Sequence, residues 1–184
     1  MSRETVEKGG FPVIWLDTLL FLVLIICAYT DLRYHRIPNM VLLPVAVLSL
    51  VLHLWQEGLQ GGFTWLQGLG LGIALFILPF LAGGIGAGDV KLLGVIGALK
   101  GPYFVFSSFL MTVLAGGLLS VFILLYRGRL AQTLRRIGMG FKVLVYSRLT
   151  VWNLPRLEED DGNSIIFPYG VAIVLGTITT YWVI

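Results

Sequence analysis

Two acidic residues in an otherwise oily chain are the groups through which this sequence could do chemistry. Asp89 stands in Gly86-Ala87-Gly88-Asp89-Val90-Lys91, a glycine-hinged turn with apolar stretches on both sides. Asp31 opens the polar stretch Asp31-Leu32-Arg33-Tyr34-His35-Arg36-Ile37-Pro38-Asn39. An ionisable residue beside apolar spans is costly and marks function by default. Two carboxylates brought together cannot both ionise, so they share a proton: one serves as general base for a water, the other as general acid toward a carbonyl. That chemistry needs two acids at similar depth on one side, and Asp31 with Asp89 qualify. Asp17 lies 14 residues before Asp31, about 21 Å along a helix, and reads as an interfacial or helix-starting acid near the opposite face. Helix capping, which Asp does well, is the competing account of Asp31 and Asp89, and spacing alone leaves both open. The run Gly83, Gly84, Gly86 and Gly88 argues for more than a cap at Asp89. It leaves the backbone bare and able to take positive φ, so that an extended peptide or a second helix can come close.

The surroundings follow from composition. Of 184 residues, 57% are hydrophobic and 12% charged, with a mean hydropathy of +0.89, far from soluble averages. This predicts an all-α polytopic membrane protein, one embedded domain over residues 1–184, with no nucleic-acid partner. Residues 1–10 mix acids and bases, and no small-residue cleavage site follows the first apolar run, which reads as a retained helix. The one cysteine, Cys27, can form neither an intrachain disulfide nor a CxxC zinc site. His35 and His53 are the two histidines, so a three-histidine metal site is excluded, and there is no HExxH and no GxSxG. No cofactor is expected. His53 reads as interfacial, near the outer end of the second span.

About six transmembrane helices are expected, over residues 11–30, 40–55, 63–82, 88–99, 103–126 and 165–184, each measured against the roughly 20 residues that a bilayer core requires. Pro38 suits an early helical position of the second, and Gln56–Gly62 reads as a loop. The apolar segment Val90–Leu99 covers about 15 Å, roughly half the core. The fourth helix is therefore short, or begins inside the glycine run and is packed by protein. Gly68, Gly70 and Gly72, and Gly116 with Ser120, mark close helix contacts. Residues 127–163 form a long polar segment. Within it Leu130, Leu134, Ile137, Phe141, Leu144 and Val145 fall on one helical face, which reads as a basic amphipathic helix on the membrane, with anionic lipids as partners of residues 127–156. Ten of the 13 Lys and Arg residues fall on the side of Asp31, Asp89 and this segment. The positive-inside rule assigns that side to the cytoplasm.

Gly86-Ala87-Gly88-Asp89 with Val90-Lys91 resembles the second catalytic motif of the type IV prepilin peptidases, membrane aspartyl proteases of bacteria and archaea. Asp31 with Arg33 and Ile37-Pro38-Asn39 resembles the family's first aspartate motif, and Phe167-Pro168-Tyr169-Gly170 its proline-tyrosine-glycine segment. The resemblance covers nearly the whole chain. It implies hydrolysis, at the cytoplasmic face of the inner membrane, of the bond after a glycine that joins a short charged leader to the hydrophobic helix of a prepilin or pseudopilin. It makes Asp31 and Asp89 the catalytic dyad. Gly86, Gly88, Lys91, Arg33, Pro168, Tyr169 and Gly170 become candidates for binding substrate or shaping the site. Positions two apart on a helix do not face each other, so Lys91 is not expected to pair with Asp89; holding a lipid phosphate or anchoring the helix end are the alternatives. Many bacterial members also carry an N-terminal extension with paired CxxC zinc motifs and methylate the new N-terminus. With one cysteine, this chain is expected to be a peptidase without methyltransferase activity, like the short forms of tight-adherence (Flp) pilus systems or archaeal preflagellin peptidases.

The rival from another class is a small transporter or channel subunit in which Asp17, Asp31 and Asp89 relay protons or bind a cation, although no repeat relates residues 1–92 to 93–184. A presenilin-like protease shares GxGD but calls for its first aspartate inside a span. The acidic run Glu158-Glu159-Asp160-Asp161 reads as a solvated turn or as an attractor of a basic leader. The identity of the pilin and the oligomeric state, homo-oligomer included, stay open.

Overall fold

A computed structural model describes residues 10–34, 37–126, 128 and 169–184. The basic segment 127–163 (apart from Gly128), the acidic run 158–161 and Pro168 lie outside the described residues. The regular elements among the described residues are helices: α1 (Gly10–Tyr34), α2 (Asn39–Glu57), α3 (Leu59–Leu81), α4 (Ala87–Tyr126) and α5 (Tyr169–Val183). The chain divides into two compact units, residues 1–116 with 168–184, and residues 117–167. The first holds α1 to α3, α4 as far as Gly116, and α5.

In α1 the buried residues Leu16, Leu20, Val23, Leu24 and Cys27 recur at helical spacing, and the next residue on that stripe is Asp31. The helix runs four residues past the expected end at Thr30. Nothing from Tyr29 to Tyr34 breaks it, and the Thr30 hydroxyl donates back to the Ile26 and Cys27 carbonyls at 3.0 and 3.2 Å. Asp31 therefore sits in the last turn of a helix rather than in a turn that follows one. Pro38 takes the cap position of α2, one residue earlier than expected, with φ −74° and ψ 123°.

The expected loop Gln56–Gly62 shrinks to one residue. Gly58 adopts φ 57°, a region open to glycine at no steric cost, and α3 begins at Leu59. The close return is possible because Gly61 has no Cβ: one would run into the His53 carbonyl.

Gly101 is non-helical, with φ 82° and ψ 177°, and divides α4 into two arms at Lys100-Gly101-Pro102. Along α3, Gly68 lies against Gly97 and Gly72 against Leu93 and Gly94 of the first arm, so these helices run antiparallel. Phe76 then meets Phe109 of the second arm, with ring centroids 5.7 Å apart. Residue 109 has thus come back to the level of the first arm's start, and the chain reverses at Gly101. Residues 92–99 are all buried, as expected of a short apolar helix packed by protein on every side.

Among the described residues, four helices are long and apolar enough to cross a membrane: Trp15–Tyr34, Asn39–Glu57, Leu59–Leu81 and Ala87–Ile123. About six were expected. The stretches expected as separate helices, 88–99 and 103–126, are the two arms into which Gly101 divides α4, and the last is α5. The 15 residues of α5 rise about 22 Å, short of a core of roughly 30 Å.

Candidate active site

Asp89 is the third residue of α4. Its position is set by the turn before it: the Asp89 amide donates to the Gly86 carbonyl at 3.1 Å, and the Gly86 amide donates to Asp89 Oδ2 at 3.1 Å. This is the reach-back half of a capping box. Capping and chemistry, left open by spacing, are therefore compatible, because the cap engages one oxygen of the carboxylate. Asp31, in the last turn of α1, lies against the start of a different helix. Its Oδ2 accepts from the Val171 amide at 3.3 Å, in the first turn of α5, where amides lack intrahelical partners and the helix dipole favours negative charge.

Both acids are buried, at 7% and 8% exposure for Asp31 and Asp89. Neither forms an ion pair among the described residues. Cys27, one turn before Asp31 and fully buried, lies in the field of both. The structure thus buries both acids that the sequence singles out, one in the last turn of α1 and one in the first turn of α4.

The glycines work by close approach. A Cβ on Gly170 would fall 2.7 Å from Asp31 Oδ2 and 2.8 Å from its Cγ; the carboxylate lies directly on the α5 backbone. A Cβ on Gly88 would fall 3.0 Å from Ile37 Cβ, so the Asp89 turn is pressed against the segment that follows α1. Positive φ, expected of this glycine run, occurs at Gly83 (77°) and not at Gly84, Gly86 or Gly88. Of Gly83, Gly84, Gly86 and Gly88, only Gly88 admits a neighbour from another segment closely.

The other candidates separate. Lys91 donates to Asn39 Oδ1 at 3.1 Å and, as expected, does not pair with Asp89. Arg33 is exposed; its Nη1 donates to Tyr29 at 2.9 Å and the guanidinium lies 5.7 Å from the Tyr34 ring centroid, so it is not brought to the acids. Tyr169, at 37% exposure, is the first residue of α5. Sequence reasoning misses Val171 as a neighbour of the site, and it gives Ile37 and Asn39 a place in a motif without a role. Proximity between a residue in α1 and the start of α5 leaves no mark in local spacing.

Asp17, read as interfacial, is the acid with a cation: it pairs with Lys100 and accepts from the Tyr181 hydroxyl at 2.5 Å. An acid held in that way does not extend Asp31 and Asp89 into a graded relay. His53, also read as interfacial, is 8% exposed, with Nε2 3.3 Å from the Leu99 carbonyl oxygen.

The type IV leader peptidase family matches residues 18–121, a stretch that includes both acids. A prepilin leader peptidase/N-methyltransferase of Bacillus subtilis (strain 168) is 35% identical over 131 residues, which are 66% of this chain and 48% of that protein. The chain spans about half the length of that curated relative. No solved structure matches it.

Proposed function

This chain belongs to the type IV leader peptidase family, and from that premise we propose that it is a membrane aspartic endopeptidase removing leader peptides from prepilins or related proteins. The observation that carries the reading is the placement of Asp31 and Asp89. They are two buried carboxylates from different helices, each engaged through one oxygen by a backbone amide and by no cation among the described residues.

The chemistry follows from one shared proton. The ionised aspartate takes a proton from water as the oxygen attacks the scissile carbonyl carbon, and the protonated aspartate gives its proton to the carbonyl oxygen. A gem-diol forms. It collapses when one hydroxyl returns its proton to the pair and the nitrogen leaves with a proton from the other acid. Which aspartate starts protonated is a property of the pair. The excess of Lys and Arg on the Asp31 side supports a reaction at the cytoplasmic face, and the substrate's apolar helix would lie in the bilayer beside the site.

The decisive experiment is coexpression with candidate prepilins, scoring leader removal by mass for wild type and for Asp31→Asn and Asp89→Asn. Cleavage retained in both variants would end the reading. Peptidase activity without N-methylation is part of the proposal; transfer of a methyl group from S-adenosylmethionine to cleaved pilin by the purified chain would remove that part.

A further inference from the structure

The two acids come from segments that share no covalent neighbourhood, and something must hold their separation. Asp31 ends α1 and Asp89 starts α4. At the next residues on each side, Ile37 touches Gly88, and Lys91 Nζ donates to Asn39 Oδ1 at 3.1 Å across 52 residues of chain. Both polar partners are exposed. Asn39 and Lys91 line a cleft of about 300 Å³ together with Leu42, Ala46 and Val95 and with Leu69 and Ile73 of α3. The hydrogen bond therefore joins two residues on the wall of a cleft, beside the Ile37–Gly88 contact.

We infer that Lys91 and Asn39 form a positioning pair that sets the distance between the two aspartates, by tying the first turn of α2 to the first turns of α4. The inference rests on the peptidase reading. The lysine suits the task because its long stem reaches α2 while its compact head donates to a neutral amide. Using Asn rather than Asp adds no third carboxylate to compete for the shared proton.

The test uses the full chain in vesicles with a prepilin that the wild type cleaves. Lys91→Met and Asn39→Leu should each lower kcat by about 10- to 100-fold, the scale of a small misplacement of catalytic groups, with KM unchanged. The double variant should be no worse than the weaker single, because one interaction is removed twice. The exchanged pair, Asn39→Lys with Lys91→Asn, should recover most of the loss. Losses that add, or that fall on KM alone, would overturn the inference. So would a Lys91→Met effect that appears only in vesicles with anionic lipid while Asn39→Leu is inert, since the lysine would then be holding a lipid phosphate. If Lys91→Met fails to accumulate in membranes, Asn39→Leu and the exchanged pair decide the same question. Inert variants at 39 and 91 in an enzyme still abolished by Asp31→Asn would sink this pair alone. Cleavage surviving Asp31→Asn would sink the peptidase reading instead.

Discussion

The single helix α1 carries Asp17 and Asp31, 14 residues apart, and the protein treats its two ends in opposite ways. Asp17 is tied into a cluster of a cation and aromatic rings. Lys100 pairs with it, the Tyr181 hydroxyl donates to it, and the same ammonium lies 5.0 Å from the Tyr181 ring centroid and 5.8 Å from that of Phe104. These contacts fasten α1, the bend of α4 and α5 together. Asp31, at the other end, receives a backbone amide and no cation among the described residues. A carboxylate with its own cation has its negative charge compensated and its geometry fixed. One that meets bare backbone and no cation keeps its proton exchange available. The difference separates an acid that holds helices from an acid that could act.

The strongest break in that comparison is loss of the acids themselves. Asn in place of Asp31 or Asp89 preserves shape and removes the ionisable group, so cleavage should fall by about 10³-fold or more while the protein still accumulates in membranes. Asp17→Asn should leave cleavage in place. A variant at 17 as dead as one at 31, at equal membrane levels, would show that the two ends are not different in kind.

Next in size is Gly170. A methyl group there would lie within van der Waals overlap of the Asp31 carboxylate, forcing that side chain or the start of α5 to shift. Gly170→Ala should therefore lower kcat by about 100-fold. Gly70→Ala is the control, because a Cβ at Gly70 meets nothing within 4 Å. Equal activity of both variants in a leader-cleavage assay would mean that Asp31 does not need its seat on α5.

At the Asp17 end the expected loss is one of stability. Lys100→Met strips a partly buried carboxylate of its cation, and should destabilise by about 1–3 kcal/mol, read as a lower midpoint of thermal inactivation in detergent with kcat unchanged. Removing both partners together should harm less than removing either, since no charge is then left uncompensated.

These contrasts also show what a sequence can disclose. Membrane character and helical class are matters of composition and apolar run length, and both are visible in the residues. The reversal at Gly101 is half visible, in the break Lys100-Gly101-Pro102, but two arms joined by one residue look like separate spans. The setting of Asp17 is hidden because its partners, Lys100 and Tyr181, are 83 and 164 residues away, and no periodicity in α1 points to either. Gly170 belongs to a recognisable motif, yet its physical reason is a contact with Asp31 across 139 residues. Local pattern discloses the parts that obey local rules; the contacts that give each acid its character are long-range.

The smallest predicted effect concerns Arg33, a charge two residues from Asp31 whose contacts are with Tyr29 and Tyr34. Being two residues from Asp31 on a regular helix turns it to another face, where it meets Tyr29 and Tyr34 in an exposed position. Arg33→Gln should change stability by no more than about 0.5 kcal/mol and leave kcat at the wild-type value. A positive charge removed from the Asp31 side could still weaken attraction to anionic lipid, an effect that salt screens. Any loss should thus appear at low ionic strength and fade as salt is raised. A fall in kcat that persists at high salt would bring Arg33 back to the acids, and the division of this end into reacting and bystander charges would have to be redrawn.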